Sequence, residues 1–246
     1  MMRKIAGMLV LLALAAFLAG CAQLREGGGE LSAVGQGTES QTTQEGARSY
    51  TVMKVEGDPD WESIPAVDID NQQWLDPIDI TAHAQLCYDD EAFYVRMWAE
   101  EADIRAEYPA SDLLANTYED SCLEFFIAPV QGDSRYMNFE INPNCAMGVQ
   151  IGSTKEDRTR LVRTDDMYHA SSTRTEDGWE VTYRIPFQFV RQFYPGFEAQ
   201  SGDVLKGNFY KCGNLTTRKH YLSWNPIASD TPNFHVPESF GDLVLA

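Results

Sequence analysis

Basic residues are scarce in this chain of 246 residues: 19 Lys and Arg stand against 37 Asp and Glu, a formal charge of −18. A surface of that sign is repelled by phosphate backbones, which excludes nucleic acid as a partner and disfavours anionic sugars as ligands. Histidine is sparse too, with four residues, and the five cysteines (Cys21, Cys87, Cys122, Cys145, Cys212) are far apart. Without a C-x-x-C pair or a His-rich stretch beside them, that spacing argues against a zinc site. The chain lacks a phosphate-binding glycine loop, a nucleophile elbow and an H-E-x-x-H motif. It also lacks internal repeats and any sign of a second domain.

The first residues read as an export signal. Arg3 and Lys4 give a charged start, Met8–Phe17 an apolar run, and Leu18-Ala19-Gly20-Cys21 a processing site. That tetrapeptide resembles the lipobox of bacterial lipoproteins, which implies cleavage before Cys21 and a diacylglycerol on its thiol. Acyl chains there would anchor the protein outside the cytoplasmic membrane. Loss of Arg3 and Lys4 takes the charge to about −20. Residues 22–48, rich in Gly, Gln, Ser, Thr and Glu, bury too little surface to offset their ordering entropy and read as a flexible tether. Export permits disulfides. Cys122–Cys212 is the pair favoured if one forms; buried free thiols are the plainer reading.

From Tyr50 onward short strand-like runs follow one another with turns every eight to twelve residues. They fall at Tyr50–Val55, Ile80–Tyr88, Ala92–Glu100, Cys122–Ala128, Arg135–Asn142, Ala146–Ile151, Arg158–Arg163, Tyr168–Thr175, Trp179–Pro186, Asp203–Cys212, Lys219–Trp224 and Asp242–Leu245. One short helix is expected at Phe187–Phe193, and a helical turn at Ser111–Ala115. The pattern predicts an all-β, two-sheet antiparallel sandwich over residues 50–246.

The stretch Tyr118–Asn142 organises the rest. Leu123, Phe125 and Ile127 share one face of the first run, and Met137, Phe139 and Ile141 one face of the second. The opposite face carries Glu124, Asn138, Glu140 and Asn142, entered through Tyr118. Carboxylates and amides side by side next to an aromatic ring suit a polyhydroxylated ligand. Arg96, Asn208 and Lys211 are candidates to complete that donor and acceptor set. The competing reading is an internal ion-pair network, Arg96 with Glu124 or Glu140.

Several ordered patterns then coincide: Asp89-Asp90-Glu91-Ala92-Phe93-Tyr94-Val95, Glu119-Asp120-Ser121-Cys122-Leu123-Glu124-Phe125-Phe126, Tyr136-Met137-Asn138-Phe139-Glu140-Ile141-Asn142, Gly207-Asn208-Phe209-Tyr210-Lys211-Cys212-Gly213, and Phe234-His235-Val236-Pro237-Glu238-Ser239-Phe240-Gly241. Together they resemble the family-9 carbohydrate-binding modules, in particular a family-9-like branch on bacterial lipoproteins within a DOMON-type superfamily. The resemblance implies an immunoglobulin-like or jelly-roll-like sandwich, structural calcium in many members, and a sugar clamped between two aromatic rings. The rings fall at Tyr118 and Phe234, where characterised members carry tryptophan; the smaller rings stack on less area. Glu124 matches a ligand-facing carboxylate, whereas Glu140 stands where those members place a basic residue.

Trp224, His220 and His235 are candidates for a second wall. Asp58 and Asp60, or Asp89, Asp90 and Glu91, are candidates for calcium, although neither spacing is an EF-hand loop. The function expected is non-catalytic capture of an oligo- or polysaccharide by a monomer that needs no cofactor. Two alternatives differ in class. A glycosidase would use Glu124 and Glu140 as its carboxyl pair. A haem-binding electron-transfer domain would draw its axial ligands from Met97, Met137 and His220.

Overall fold

The computed structural model describes residues 46–162 and 164–246. The export signal, Cys21 and the tether up to residue 45 lie outside the described residues.

Fourteen strands are present among the described residues: β1 Ser49–Lys54, β2 Val67–Asp68, β3 Asn71–Gln72, β4 Thr81–Tyr88, β5 Ala92–Glu100, β6 Ser121–Ala128, β7 Tyr136–Ile141, β8 Met147–Gly152, β9 Thr159–Arg160, β10 Ser171–Arg174, β11 Gly178–Pro186, β12 Val204–Gly213, β13 His220–Ser223 and β14 Gly241–Leu245. The helix α1 occupies Phe187–Phe193, and single 3-10 turns lie at Thr117–Glu119 and Pro237–Ser239. Hydrogen bonding runs continuously in the order β10-β11-β5-β4-β1-β14-β12-β6-β7-β8-β9, with β13 beside β12 and β2 beside β4. The ribbon curls into two layers, and β1 is the seam. Its first four residues pair with β14 and its last two with β4. A strand shared in this way closes one side of the sandwich and leaves no free edge there.

The period of two decides which residues meet inside. Leu123, Phe125, Ile127, Met137, Phe139 and Ile141 all enter the core between the layers, with Phe209 of β12. Phe125 stacks on Phe209 at 4.8 Å, and Phe139 meets Tyr183 of the far layer at 6.3 Å. Full burial of such side chains stabilises by about 1.5–3 kcal/mol each, so the six-residue alternation is the main local cause of the β6–β7 pairing. The turn between them needs Gly132, whose φ is +84°.

Four expectations are trimmed by the structure. Among the described residues of the run Arg158–Arg163 the strand is Thr159–Arg160, and within Tyr168–Thr175 it is Ser171–Arg174. The 111–115 segment is turn without helix, and the 3-10 turn follows it at Thr117–Glu119. Arg48, assigned by composition to the tether, is held: its amide donates to Asn225 Oδ1 at 2.8 Å and its guanidinium reaches Asp70 Oδ1 at 2.7 Å. The four described cysteines are free thiols.

Candidate functional site

The outward face of β6, β7 and β12 is roofed at one end by three loops, and a cavity of about 280 Å³ lies beneath them. Glu124, Glu140 and Cys212 form its floor, and Tyr118, Lys155, Arg158, Asn214, Tyr221 and Phe234 stand among its walls with His235. Glu124 and Glu140 are direct cross-strand partners, as are Tyr210 and Glu124. Register alone therefore places the two carboxyls side by side on one face.

Each wall is fixed by a different device. Tyr118 rides on the 3-10 turn, which is tied to the end of β12 by the amide of Asn214 donating to Tyr118 O at 3.1 Å and that of Leu215 to Glu119 O at 3.0 Å. Its ring stays 37% exposed at the rim. Phe234 lies flat on Tyr210, centroids 4.2 Å apart and planes 11° apart, with Tyr221 edge-on at 5.9 Å. The loop that carries Phe234 is pinned by reciprocal bonds between Gln73 and Ile227, at 2.9 and 2.8 Å, and by Trp74 Nε1 donating to Ser229 O at 2.7 Å. Such pinning lowers the ordering cost when a ligand arrives.

The electrostatics follow from burial. Glu140 Oε2 accepts from Thr117 Oγ1 at 3.0 Å and Oε1 from Asn138 Nδ2 at 2.8 Å. The bare Gly148 opposite Glu140 leaves room for Thr117, since a Cβ there would sit 3.2 Å from its hydroxyl oxygen. Burial raises the Glu140 carboxyl above the usual range, and Thr117, Arg158, Arg160 and Asn138 hold the rise back. Burial pushes Glu124 well above its usual value, with Cys212 and Glu140 adding to it. His235 accepts from Arg158 on Nε2 at 2.9 Å, which leaves Nδ1 to donate to Tyr136 Oη at 2.8 Å. Burial first, then the Arg158 charge, depresses that imidazole to about 3. Asn214 Oδ1 is buried without a protein partner.

The structure therefore gathers Tyr118, Phe234, Glu124, Glu140 and His235 at one cavity. It does not bring Arg96, Asn208, Lys211, Trp224 or His220 there. Arg96 lies on β5 of the far layer, with Nε 2.8 Å from Glu180 Oε2, so it pairs with neither Glu124 nor Glu140. Lys211 shares the inward parity of Phe209. It is fully buried, 3.1 Å from Glu101 Oε2 and 2.7 Å from His220 Nε2. His220 is consumed by that contact and by the Arg218 carbonyl at 2.8 Å; burial and the Lys211 charge depress it to about 4. Trp224 is core, edge-on to Phe209 at 5.8 Å. Asn208 clamps the main chain of Asn225 with bonds of 3.0 and 2.8 Å. Asn138 is spent on Glu140 behind the cavity wall, and Asn142 on Asp120 and Tyr108.

The haem alternative does not assemble, because Met97 and Met137 pack in the apolar core and both His220 nitrogens are engaged. Asp58 and Asp60 are exposed turn residues, and Asp60 caps the amide of Glu62. Asp89 is committed to the amides of Glu91 and Ala92 and to the Tyr94 hydroxyl. Asp89, Asp90 and Glu91 line one shallow hollow together with Glu56. Among the described residues the one cluster of three metal-capable side chains is Cys122, Glu124 and Cys212. Lys155, Arg158, Asn214, Tyr221 and Cys212 went unnoticed as lining residues. Only Cys212 and Tyr221 carried a signal, the shared parity with Tyr210 and Ser223 along their strands.

The chain belongs to carbohydrate-binding family 9, whose sequence model matches residues 59–245. A solved protein from Bacteroides uniformis, proposed to bind carbohydrate, shares 29% identity at a TM-score of 0.71, covering 81% of this chain and 100% of its own. A family-9 module from Caldicellulosiruptor kristjanssonii in complex with cellotriose aligns at 15% identity and TM-score 0.57, over 80% of this chain and 93% of that one. A glucose complex from the same organism gives 15% and 0.56, over 81% and 96%. No curated protein matches.

Proposed function

We propose that the protein is a non-catalytic carbohydrate-binding module that holds a sugar in the cavity between Tyr118 and Phe234. The observation that carries this reading is the joint presence of both rings and two hydrogen-bonding carboxyls around one space of about 280 Å³. Aromatic faces stack on sugar C–H surfaces, and carboxyls or amides orient hydroxyls. A space at the small end of the usual range, about 300–1,000 Å³, suits a chain end or a short oligosaccharide. The ligands printed for the Caldicellulosiruptor modules make cellotriose and glucose the first compounds to try.

Membership of a binding family supports the absence of catalysis. In the same proposal the lipobox at Cys21 and the tether place the module outside the cytoplasmic membrane, within reach of glycans. Calorimetric titration with cello-oligosaccharides and a wider glycan panel tests the reading. It predicts saturable binding that Phe234→Ala weakens, with no reducing sugar released from xylan or glucan. Binding untouched by that change, or sugar release, would overturn it.

A further inference from the structure

Two thiols and a carboxyl meet at the bottom of the cavity. Cys122 and Cys212 are direct partners in the antiparallel β6–β12 register, so both side chains leave the sheet on one face. Glu124, two residues along β6, emerges on that face too. Cys212 Sγ lies 3.0 Å from Glu124 Oε1, and one ligand atom from each of the three residues falls within 4.8 Å of the others. Ligand atoms around a tetrahedral zinc with Zn–S bonds of about 2.3 Å stand roughly 3.8 Å apart. Small side-chain adjustments therefore close this set on an ion. Cys212 and Glu124 also line the cavity, which gives an ion its route in.

We propose that Cys122, Cys212 and Glu124 form a binding site for one thiophilic divalent cation of the zinc class, its fourth coordination position facing the cavity. Two thiolates with one carboxylate select such an ion over calcium or magnesium, which prefer oxygen. Binding sends the two thiol protons, and the carboxyl proton where present, to solvent; nothing is oxidised or reduced. The completed site carries one net negative charge beside Arg158, which lines the same cavity. It also supplies what the metal-free cluster lacks. The bond Glu124 receives there comes from a thiol, a weak donor for a buried carboxyl. The wide cysteine spacing concealed the arrangement, because cross-strand pairing rather than a C-x-x-C turn brings the thiols together.

The site shares Glu124 and the cavity with the sugar reading but does not rest on it, so the two are measured separately on the same samples. Reduced, chelator-treated full-length protein is titrated with Cd²⁺ while the ultraviolet thiolate-to-cadmium charge-transfer band is followed; Zn²⁺ then competes. One equivalent is expected, displaced by zinc. Cys122→Ser or Cys212→Ser should weaken it by at least the roughly 10- to 100-fold that losing even a supporting residue costs. Cys87→Ser and Cys145→Ser should leave the band unchanged. X-ray absorption on the zinc-loaded wild type counts two sulfur ligands and needs no variant to fold. Glycan binding by the metal-free protein is recorded in parallel, so metal without sugar, or sugar without metal, identifies which reading fails. The proposal is overturned by a folded, reduced protein that gives no band, by a band that survives both serine substitutions, by a sulfur count of none, or by a Cys122–Cys212 disulfide in the purified native protein.

Discussion

The two outward faces of this sandwich carry similar side chains and have different fates. On the near layer, Glu124, Glu140, Tyr210 and Cys212 lie under loops that bring Tyr118, Arg158 and Phe234 over them. On the far layer, Arg96 joins Glu180 and lies over the Trp98 ring at 5.2 Å, while His83 stacks on that ring at 4.9 Å. Trp98 thus has aromatic and cationic partners from its own layer. The near face has rings that leave a space between them. Polar and aromatic composition on a strand does not define a site; roofing by loops does, since it buries the carboxyls and keeps a cavity open.

Substitutions can break or sharpen that contrast. The largest effect is expected at Phe234, whose removal should lower sugar affinity by about 1–3 kcal/mol, the worth of a buried phenyl face, read by calorimetry. Tyr118→Ala, at the exposed rim, should cost about 1 kcal/mol or less in the same titration. Arg96→Ala and Trp98→Ala on the far face should leave sugar affinity unchanged. For Arg96 the stability loss should stay below about 1 kcal/mol, because its ion pair is part-exposed.

Glu124→Gln sharpens the comparison through pH. The folded-state carboxyl is raised, so the native state keeps its proton where the unfolded chain has lost it, and stability falls as pH rises above the ordinary carboxyl range near 4.5. The amide removes that dependence, and thermal melts of the variant should decline less between pH 5 and 8. His235 acts in the opposite sense. It stays neutral to about 3, against 6.5 unfolded, so acidification from 6.5 downward favours the unfolded state. His235→Asn should flatten that acid limb, the smallest of these shifts because His220 titrates alongside it.

Much of the fold was legible. The alternation from Leu123 to Ile141 states which side chains face the core, and Gly132 marks the turn that joins the two strands. The floor of the site was legible for the same reason: once the inward set is known, Glu124 and Glu140 must face outward together. The walls were not. Lys211 and Asn208 are three residues apart on one strand and so cannot share a face, and strand parity sends Lys211 to a buried partner, Glu101, more than a hundred residues away in sequence. Arg158 reaches the cavity from a loop with no periodicity, and only the three-dimensional course of residues 153–158 puts it beside His235. Cys122 and Cys212 became neighbours through register, which no spacing along the chain encodes.

The most direct measurement is a crystal structure of the protein with a saccharide that binds it in titration. The account predicts a pyranose ring between Tyr118 and Phe234, with a hydroxyl within hydrogen-bonding distance of Glu124. A sugar bound on the Trp98 face, or anywhere outside the Glu124–Glu140 cavity, would contradict it.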